Sequence, residues 1–424
     1  MWRLVSLLFI TIVFGSFGQY NWTWTEMQQM PFRTSNNAVC EASVGGNEFV
    51  YSFGGIDTSK AYSGIHQRAF KYDVTSNVWS EIASLPDTLG KIASGASFVN
   101  GKIYILGGYH VFPTNMEVSS DRVHVYNPTT ESYEANGAAI PVPIDDHVQC
   151  VYKDSLIFVV TGWSNTGNVP NVQIYNPSLN QWQAGTSTIN NAFYTAFGAS
   201  GYIIGDTLYY HGGASGGAFG AKKFMRRGYI NPTDPTDITW GQIEDSPGDA
   251  GYRSACSGVG NTVFWVGGSG ISYNYDGIAY SNGAGVEPLT RVLHFGVNDH
   301  TFADETSQPY GVMDLRGIAK LTGNRWVICG GMDSSQVVTN RTFLLENPLV
   351  EMNESDSHDG YKIHSSKDRI QIVTPQVGSA RLVSAMGSIL VKFPRGDEFI
   401  LERSKYAGGI YFFEHEGIKI RILL

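Results

Sequence analysis

Five glycine pairs, each closing an apolar stretch, recur along the chain at a nearly even interval. They are Gly54-Gly55 in YSFGG, Gly107-Gly108 in YILGG, Gly212-Gly213 in YYHGG, Gly267-Gly268 in FWVGG and Gly330-Gly331 in VICGG. A degenerate copy, FVVTG, ends at Gly162. Successive copies stand 51 to 63 residues apart. A period near 50 residues is that of a propeller, in which each unit supplies a small sheet of four strands. Glycine ends the second strand of each unit because the backbone there must turn where a Cβ would not fit.

A second signal runs in phase with the first. Two aromatics stand seven residues apart across a turn built on Asp, Asn or Pro: Tyr72 and Trp79, Tyr126 and Tyr133, Tyr175 and Trp182. Tyr229 reaches Trp240 over a longer turn. Such a pair predicts a third strand, a hairpin and a fourth strand, with the aromatics packed between neighbouring units. Around Tyr280 the fifth unit lacks a clear partner aromatic and carries a long insertion from Val286 to Tyr310. The sixth ends at FLLENP with no tryptophan after it.

The missing piece stands at the other end of the chain. Trp24 precedes Pro31 by the same seven residues that separate Trp79 from Pro86 and Trp240 from Pro247. The first strand is therefore expected to complete the sixth unit, closing a ring that leaves no free radial edge. These motifs resemble the kelch repeat over roughly residues 21–348. The expectation is an all-β chain: a six-bladed kelch-type β-propeller closed by an N-terminal strand, followed by a small C-terminal β-sandwich.

The segments around the ring complete the organisation. Residues 1–18 read as a signal peptide: one early positive charge at Arg3, an apolar run from Leu4 to Phe17, and small residues Ser16 and Gly18 at the cleavage positions. The run is short for a membrane span, and no transmembrane segment is expected after its removal. The propeller occupies 19–350, a polar acidic linker 351–361, and a β-domain of short alternating strands 362–424. The last resembles the C-terminal sorting domain of type IX secretion, through the Met386-Gly387 turn, AGGIYFF at Ala407–Phe413 and the basic final strand with Lys419 and Arg421. That resemblance implies an export machinery as partner, and a secreted or cell-surface protein that crosses the outer membrane.

Net charge is −9, which argues against a nucleic-acid partner. No cofactor is implied, and no cysteine–histidine cluster has zinc spacing. Eleven residues before each first glycine, or its substitute, lie Ser43, Ala96, Cys150, Gly201, Cys256 and Ala319, all small as crowded inner strands require. The four cysteines are expected to be buried thiols.

Fourteen residues before the same glycines lie Cys40, Ala93, His147, Gly198, Arg253 and Arg316, at the expected mouth of a central channel. Asp146, Tyr194 and Tyr252 neighbour them, and the loops after the glycines add Asp57, His110, Trp163 and Asp333. Arginine forks grip carboxylates and flat rings stack on sugar faces. The set predicts a binding face for an extracellular glycan or protein, though Arg253 and Arg316 could equally bridge to Asp249 and Asp314 and only hold loops. Resemblance to exported propellers that interconvert anomers of sialic acid implies an enzyme as the alternative. A structural adhesive matrix protein is a third. His147 and His110 resemble part of the copper site of a kelch-type oxidase family, but no cysteine is placed to cross-link a tyrosine there, and no metal is expected.

Overall fold

The computed structural model describes residues 22–347, 362–365, 369–384, 389–406, 410–416 and 418–423. The signal-peptide segment, the acidic linker and the Met386-Gly387 turn lie outside the described residues. The chain divides into two compact units, one of which is Thr23–Glu346.

That unit contains six antiparallel sheets, each with four strands on its main path. The first is typical: Ala38–Val44, Asn47–Phe53, Ala69–Asp73 and Val78–Ile82, in chain order. The innermost strands are built from small and β-branched residues, such as IASGASFV at Ile92–Val99. Four of their six hairpins use paired left-handed residues, as at Asn100 (φ 51°) and Gly101 (φ 77°), the geometry that matches strand twist. Tyr72 faces Trp79 and Tyr175 faces Trp182 across the outer hairpins. Apolar layers fill the spaces between consecutive sheets. One runs from Val148, Phe158 and Ile174 of the third sheet to Leu208, Tyr210 and Ile230 of the fourth. Others join the first to the second and the sixth to the first.

The sixth sheet comprises Ala319–Leu321, Arg325–Cys329, Thr342–Glu346 and, from the start of the chain, Thr23–Glu26. Trp24 pairs with Leu345 and Glu26 with Phe343, so the two ends of this unit share one sheet. The fifth sheet corrects the sequence reading. Its outer hairpin is Val292–Gly296 and Phe302–Glu305, inside the supposed insertion, with Phe295 opposite Phe302. These two rings keep the seven-residue spacing. Tyr280 instead belongs to the long loop after Gly267-Gly268.

The glycine pairs have a specific task. The N–H of the second glycine bonds to a carbonyl of the loop entering the next sheet: Gly55 to Lys91, Gly108 to Ile144, Gly213 to Gly251, Gly268 to Val312 and Gly331 to Thr34. All are left-handed. At Gly267 (φ 61°) a Cβ would run into the Val312 carbonyl. Gly267→Ala therefore combines left-handed strain with a clash that only backbone movement relieves. We expect a loss of about 3 kcal/mol, read as a lowered denaturation midpoint; an unchanged midpoint would remove the steric reason for the repeat.

The C-terminal strands Lys362–Ser365, Arg369–Ser384, Ile389–Glu402, Ile410–His415 and Ile418–Leu423 form one hydrogen-bonded antiparallel sheet. Alternate residues Ile370 and Ile372, then Ala380 and Leu382, are buried with Phe399, Leu401 and Phe413. Register along the long strand shifts between Val373 and Gly378, a bulged irregularity of the kind that bends a strand.

Candidate functional site

One residue at the entry to each sheet of the propeller has a left-handed backbone: Asn36 (φ 57°), Ala93 (58°), Asp146 (47°), Gly198 (67°), Arg253 (48°) and Asp314 (64°). Their main chains are linked in a closed circuit. Ala93 N–H donates to Asn36 O, Asp146 to Ala93, Gly198 to Asp146 and Arg253 to Gly198. Leu315 N–H then donates to Arg253 O, and Asn36 N–H to Asp314 O, at 2.8–3.3 Å throughout the circuit. Five of these six carry a Cβ, so left-handed strain is held here by cooperative bonding. The circuit brings side chains far apart in sequence onto one axis.

Three of those side chains are ionic. Arg253 grips Asp146 with two nitrogens (Nη2–Oδ2 2.5 Å, Nε–Oδ1 3.2 Å) and Asp314 with a third (Nη1–Oδ1 2.8 Å). Ser35 Oγ donates to the other oxygen of Asp314 at 2.5 Å. Arg316 lies beside them, 3.6 Å from Asp146, and donates to the His147 carbonyl at 2.8 Å. All are buried. Burial opposes the charge on Arg253, but the carboxylates of Asp146 and Asp314 outweigh it and hold the guanidinium ionised. Burial lowers Arg316 and raises Asp314.

This network stands between two cavities. Beneath it His147, Arg316, Gln149, Ser254 and small residues of the inner strands line a space of about 70 Å³. Above it, on the side of the loops that follow the glycine pairs, lies a pocket of about 90 Å³. Its lining includes Asp146 and Arg253, the carboxyl groups of Glu117 and Asp145, and the aromatics Tyr109, Trp163, Phe197, Phe219 and Tyr280. Trp163 meets Phe197 and Phe219 edge-on, each with centroids 5.4 Å apart, and Phe219 meets Tyr280 at 5.3 Å. Asp145 is held by reciprocal backbone bonds with Trp163 and by Ser119, whose Oγ donates to Oδ2 at 2.5 Å. Burial first, and neighbouring Asp146 second, push its carboxyl well above the usual range.

Of the residues singled out from sequence, Asp146, Arg253, Arg316 and His147 converge in the network, and Trp163 joins two of them in the pocket wall. Tyr252 is fully buried behind Arg253, its ring centroid 5.2 Å from the guanidinium carbon. The other four lie elsewhere. Tyr194 packs on Phe193, His110 bonds the Gly90 carbonyl, Asp57 caps Ser59 in its own loop, and Asp333 pairs with Arg341. Counting fourteen residues back misplaces three ring positions: Asn36, Asp146 and Asp314 occupy the places assigned to Cys40, His147 and Arg316. Inner hairpins of unequal length shift that count: the first has longer paired strands before its glycine pair than the second, around the same short turn, and the third and sixth have longer turns. Cys40 is a core residue of its strand. Glu117, Phe197 and Phe219 carried no repeat signal, and Tyr280 pointed to the wrong strand. All four cysteines are free. Among the described residues no group of three or more His, Cys, Asp or Glu is arranged to hold a metal ion.

His147 sets a test of the buried floor. Burial and then Arg316 push its imidazole down to about 4. Between pH 6.5 and that value the unfolded chain takes a proton that the folded one refuses. Stability from this group is full above the unfolded pKa and falls by up to roughly 3 kcal/mol as pH drops through the window. In His147→Gln the loss is absent, so the stability gap between wild type and variant should narrow on acidification. Denaturant titrations at pH 7 and 4.5 check this; a gap independent of pH would contradict it.

Four-stranded antiparallel sheets stitched by glycine pairs, together with the similarities that follow, support a kelch-repeat β-propeller. The sequence matches the Kelch motif family over residues 93–134. It is 26% identical over 216 residues to Kelch-like protein 25 of Xenopus tropicalis, covering 49% of this chain and 33% of that protein. It is 24% identical over 209 residues to Kelch-like protein terF of Aspergillus terreus, covering 47% and 43%. Beta-scruin of Limulus polyphemus is 27% identical over 138 residues, covering 31% and 14%. The chain thus spans less than half the length of these relatives. In fold it is similar to the solved structure of YjhT, with a TM-score of 0.60 and 14% identity over 82% of this chain and 99% of that one.

Proposed function

We propose that the chain is an exported, six-bladed binding propeller that recognises a carbohydrate or protein ligand at the loop-face pocket of Trp163, Phe219 and Tyr280. The observation that carries this reading is the pocket itself: a cavity walled by aromatics and floored by an ion network whose charges already satisfy one another. Pockets of this composition, apolar walls with a few convergent polar groups, are the usual ligand seats of folded proteins. Arg253 serves here as floor, and the ligand meets rings and carboxyls first. Export rests on the N-terminal apolar run and on the C-terminal strands, proposed as a type IX sorting domain; N-terminal sequencing of secreted protein checks the first.

A second reading has its own support. Asp145 is a buried carboxyl at a cavity whose affinity for a proton is raised by burial and by Asp146, the direction a general acid requires, and an anomer-interconverting enzyme would use such a group. Saturation-transfer NMR of the full chain with a panel of neutral and acidic sugars separates the two. Saturation transfer without exchange between anomer signals, lost in Trp163→Ala, supports a binding module. Accelerated exchange, lost in Asp145→Asn, supports the enzyme. Neither effect with any sugar would leave only a protein ligand for this face.

A further inference from the structure

We propose that the group this pocket recognises is an alkylammonium head, carried by an amino sugar or by a lysine side chain. The inference rests on the reading of the pocket as the ligand seat and names the chemistry that seat selects. Three carboxyl groups line the cavity and one guanidinium. Arg253 is committed to Asp146 and Asp314. Asp145 and Glu117 have no cationic partner among the described residues. Asp145 is 4% exposed; Ser119 donates to one of its oxygens, and no described residue bonds the other. A buried carboxyl half satisfied against a cavity needs a donor from outside. Tyr109, likewise buried, makes no side-chain hydrogen bond to any described residue.

The walls favour the same ligand. Aromatic rings attract a cation through their quadrupoles, most strongly where water is excluded. Trp163, Tyr109, Phe219 and Tyr280 surround a space that accommodates an ammonium and the carbons next to it. An anionic sugar would meet two uncompensated carboxyls before it reached a guanidinium that is already paired. Glu117 sits at the open side on a short strand, Glu117–Ser119, paired with the far end of Lys102–Val111 in the second sheet. There it can meet the entering cation without being needed for the fold.

Calorimetric titration of the full chain at neutral pH with two matched pairs tests the idea. Glucosamine is compared with N-acetylglucosamine, and Nα-acetyl-lysine N-methylamide with its Nε-acetylated form. The expectation is that one or both ammonium compounds bind at least tenfold more tightly than the acetylated partner. Whichever pair responds identifies the source of the head group. Asp145→Asn and Glu117→Gln should each weaken the ammonium compound at least fivefold. Glu117→Gln, on an exposed edge, keeps the test open where Asp145→Asn disturbs folding. Equal affinity for free and acetylated forms overturns the ammonium assignment and leaves the pocket reading intact. No binding of either pair, with sugars still engaging Trp163, overturns it as well. No response from any compound removes both.

Discussion

Replacing Arg253 by methionine should cost the propeller about 3–5 kcal/mol, the range for removing one partner of a buried ion network. The side chain is 1% exposed, and its three bonds hold two carboxylates that are otherwise buried beside each other. Without it Asp146 keeps only Arg316, 3.6 Å away, and Asp314 has no cation left and must be protonated or drag water into the floor of the pocket. A loss of that size is a large fraction of the 5–15 kcal/mol that holds a typical protein together. Arg253→Lys should recover only part of it, because an ammonium cannot grip Asp146 with two parallel donors. The informative variant is the double Arg253→Met, Asp314→Asn, which leaves Asp146 paired with Arg316. It removes the stranded charge along with the cation and should recover most of the loss. If denaturation midpoints show the double no better than Arg253→Met alone, lost packing rather than stranded charge is the cause, and the ionic description of the floor is wrong.

Removing Thr23–Glu26 should have a still larger effect. The strand pairs residue by residue with Thr342–Glu346. Trp24 packs on Phe343 and Tyr310, with centroids 5.7 and 6.1 Å away, and donates to Gln308 at 2.8 Å. Glu26 is bridged by Arg341. Its loss opens the ring and bares a strand edge that invites association. Four strand residues at about 1 kcal/mol per hydrogen bond, together with the aromatic packing of Trp24, amount to a sizeable share of the total stability. The expected outcome for the truncated chain is aggregation or a broad, non-cooperative transition. A peptide spanning residues 22–31, added in excess, should restore a sharp one. A truncated chain that stays monomeric and melts sharply by itself would show that the sixth sheet closes without its outer strand.

The repeat was legible because its causes are local. Glycine pairs mark backbone that turns left-handed beside the next sheet, and aromatic pairs mark outer hairpins. Both follow from steric rules that act within a few residues. Phe295 and Phe302 obeyed the second rule too, and were passed over only because Tyr280 came first after the glycine pair. The site was legible in part. Arg253, Asp146 and Trp163 announce themselves as polar or aromatic residues near strand ends. Their partnership does not, because Arg253 is 107 residues from Asp146 and 61 from Asp314, and the circuit that joins them is made by main-chain atoms. A count from the glycine pairs reached Arg253, Ala93 and Gly198 correctly and failed where the inner hairpins change length. A left-handed residue at the entry to each sheet, with a side chain in five of the six, is the signal that a sequence does not show. That is why the arginines read equally as forks for a ligand carboxylate and as bridges to Asp249 and Asp314, whereas in the structure Arg253 grips Asp146 and Asp314 and Arg316 lies against Asp146.

The most direct test places the ligand. Full-length protein labelled with ¹⁵N only in tryptophan gives one indole signal for each of its nine tryptophans, and Trp163→Phe identifies the one in the pocket wall. With a ligand found in the sugar or amine panels, the Trp163 signal should shift saturably while those of Trp79, Trp182 and Trp240 in the outer hairpins stay still. Saturable shifts in the outer tryptophans with Trp163 unmoved would place recognition on the rim of the sheets and contradict the loop-face pocket as the seat.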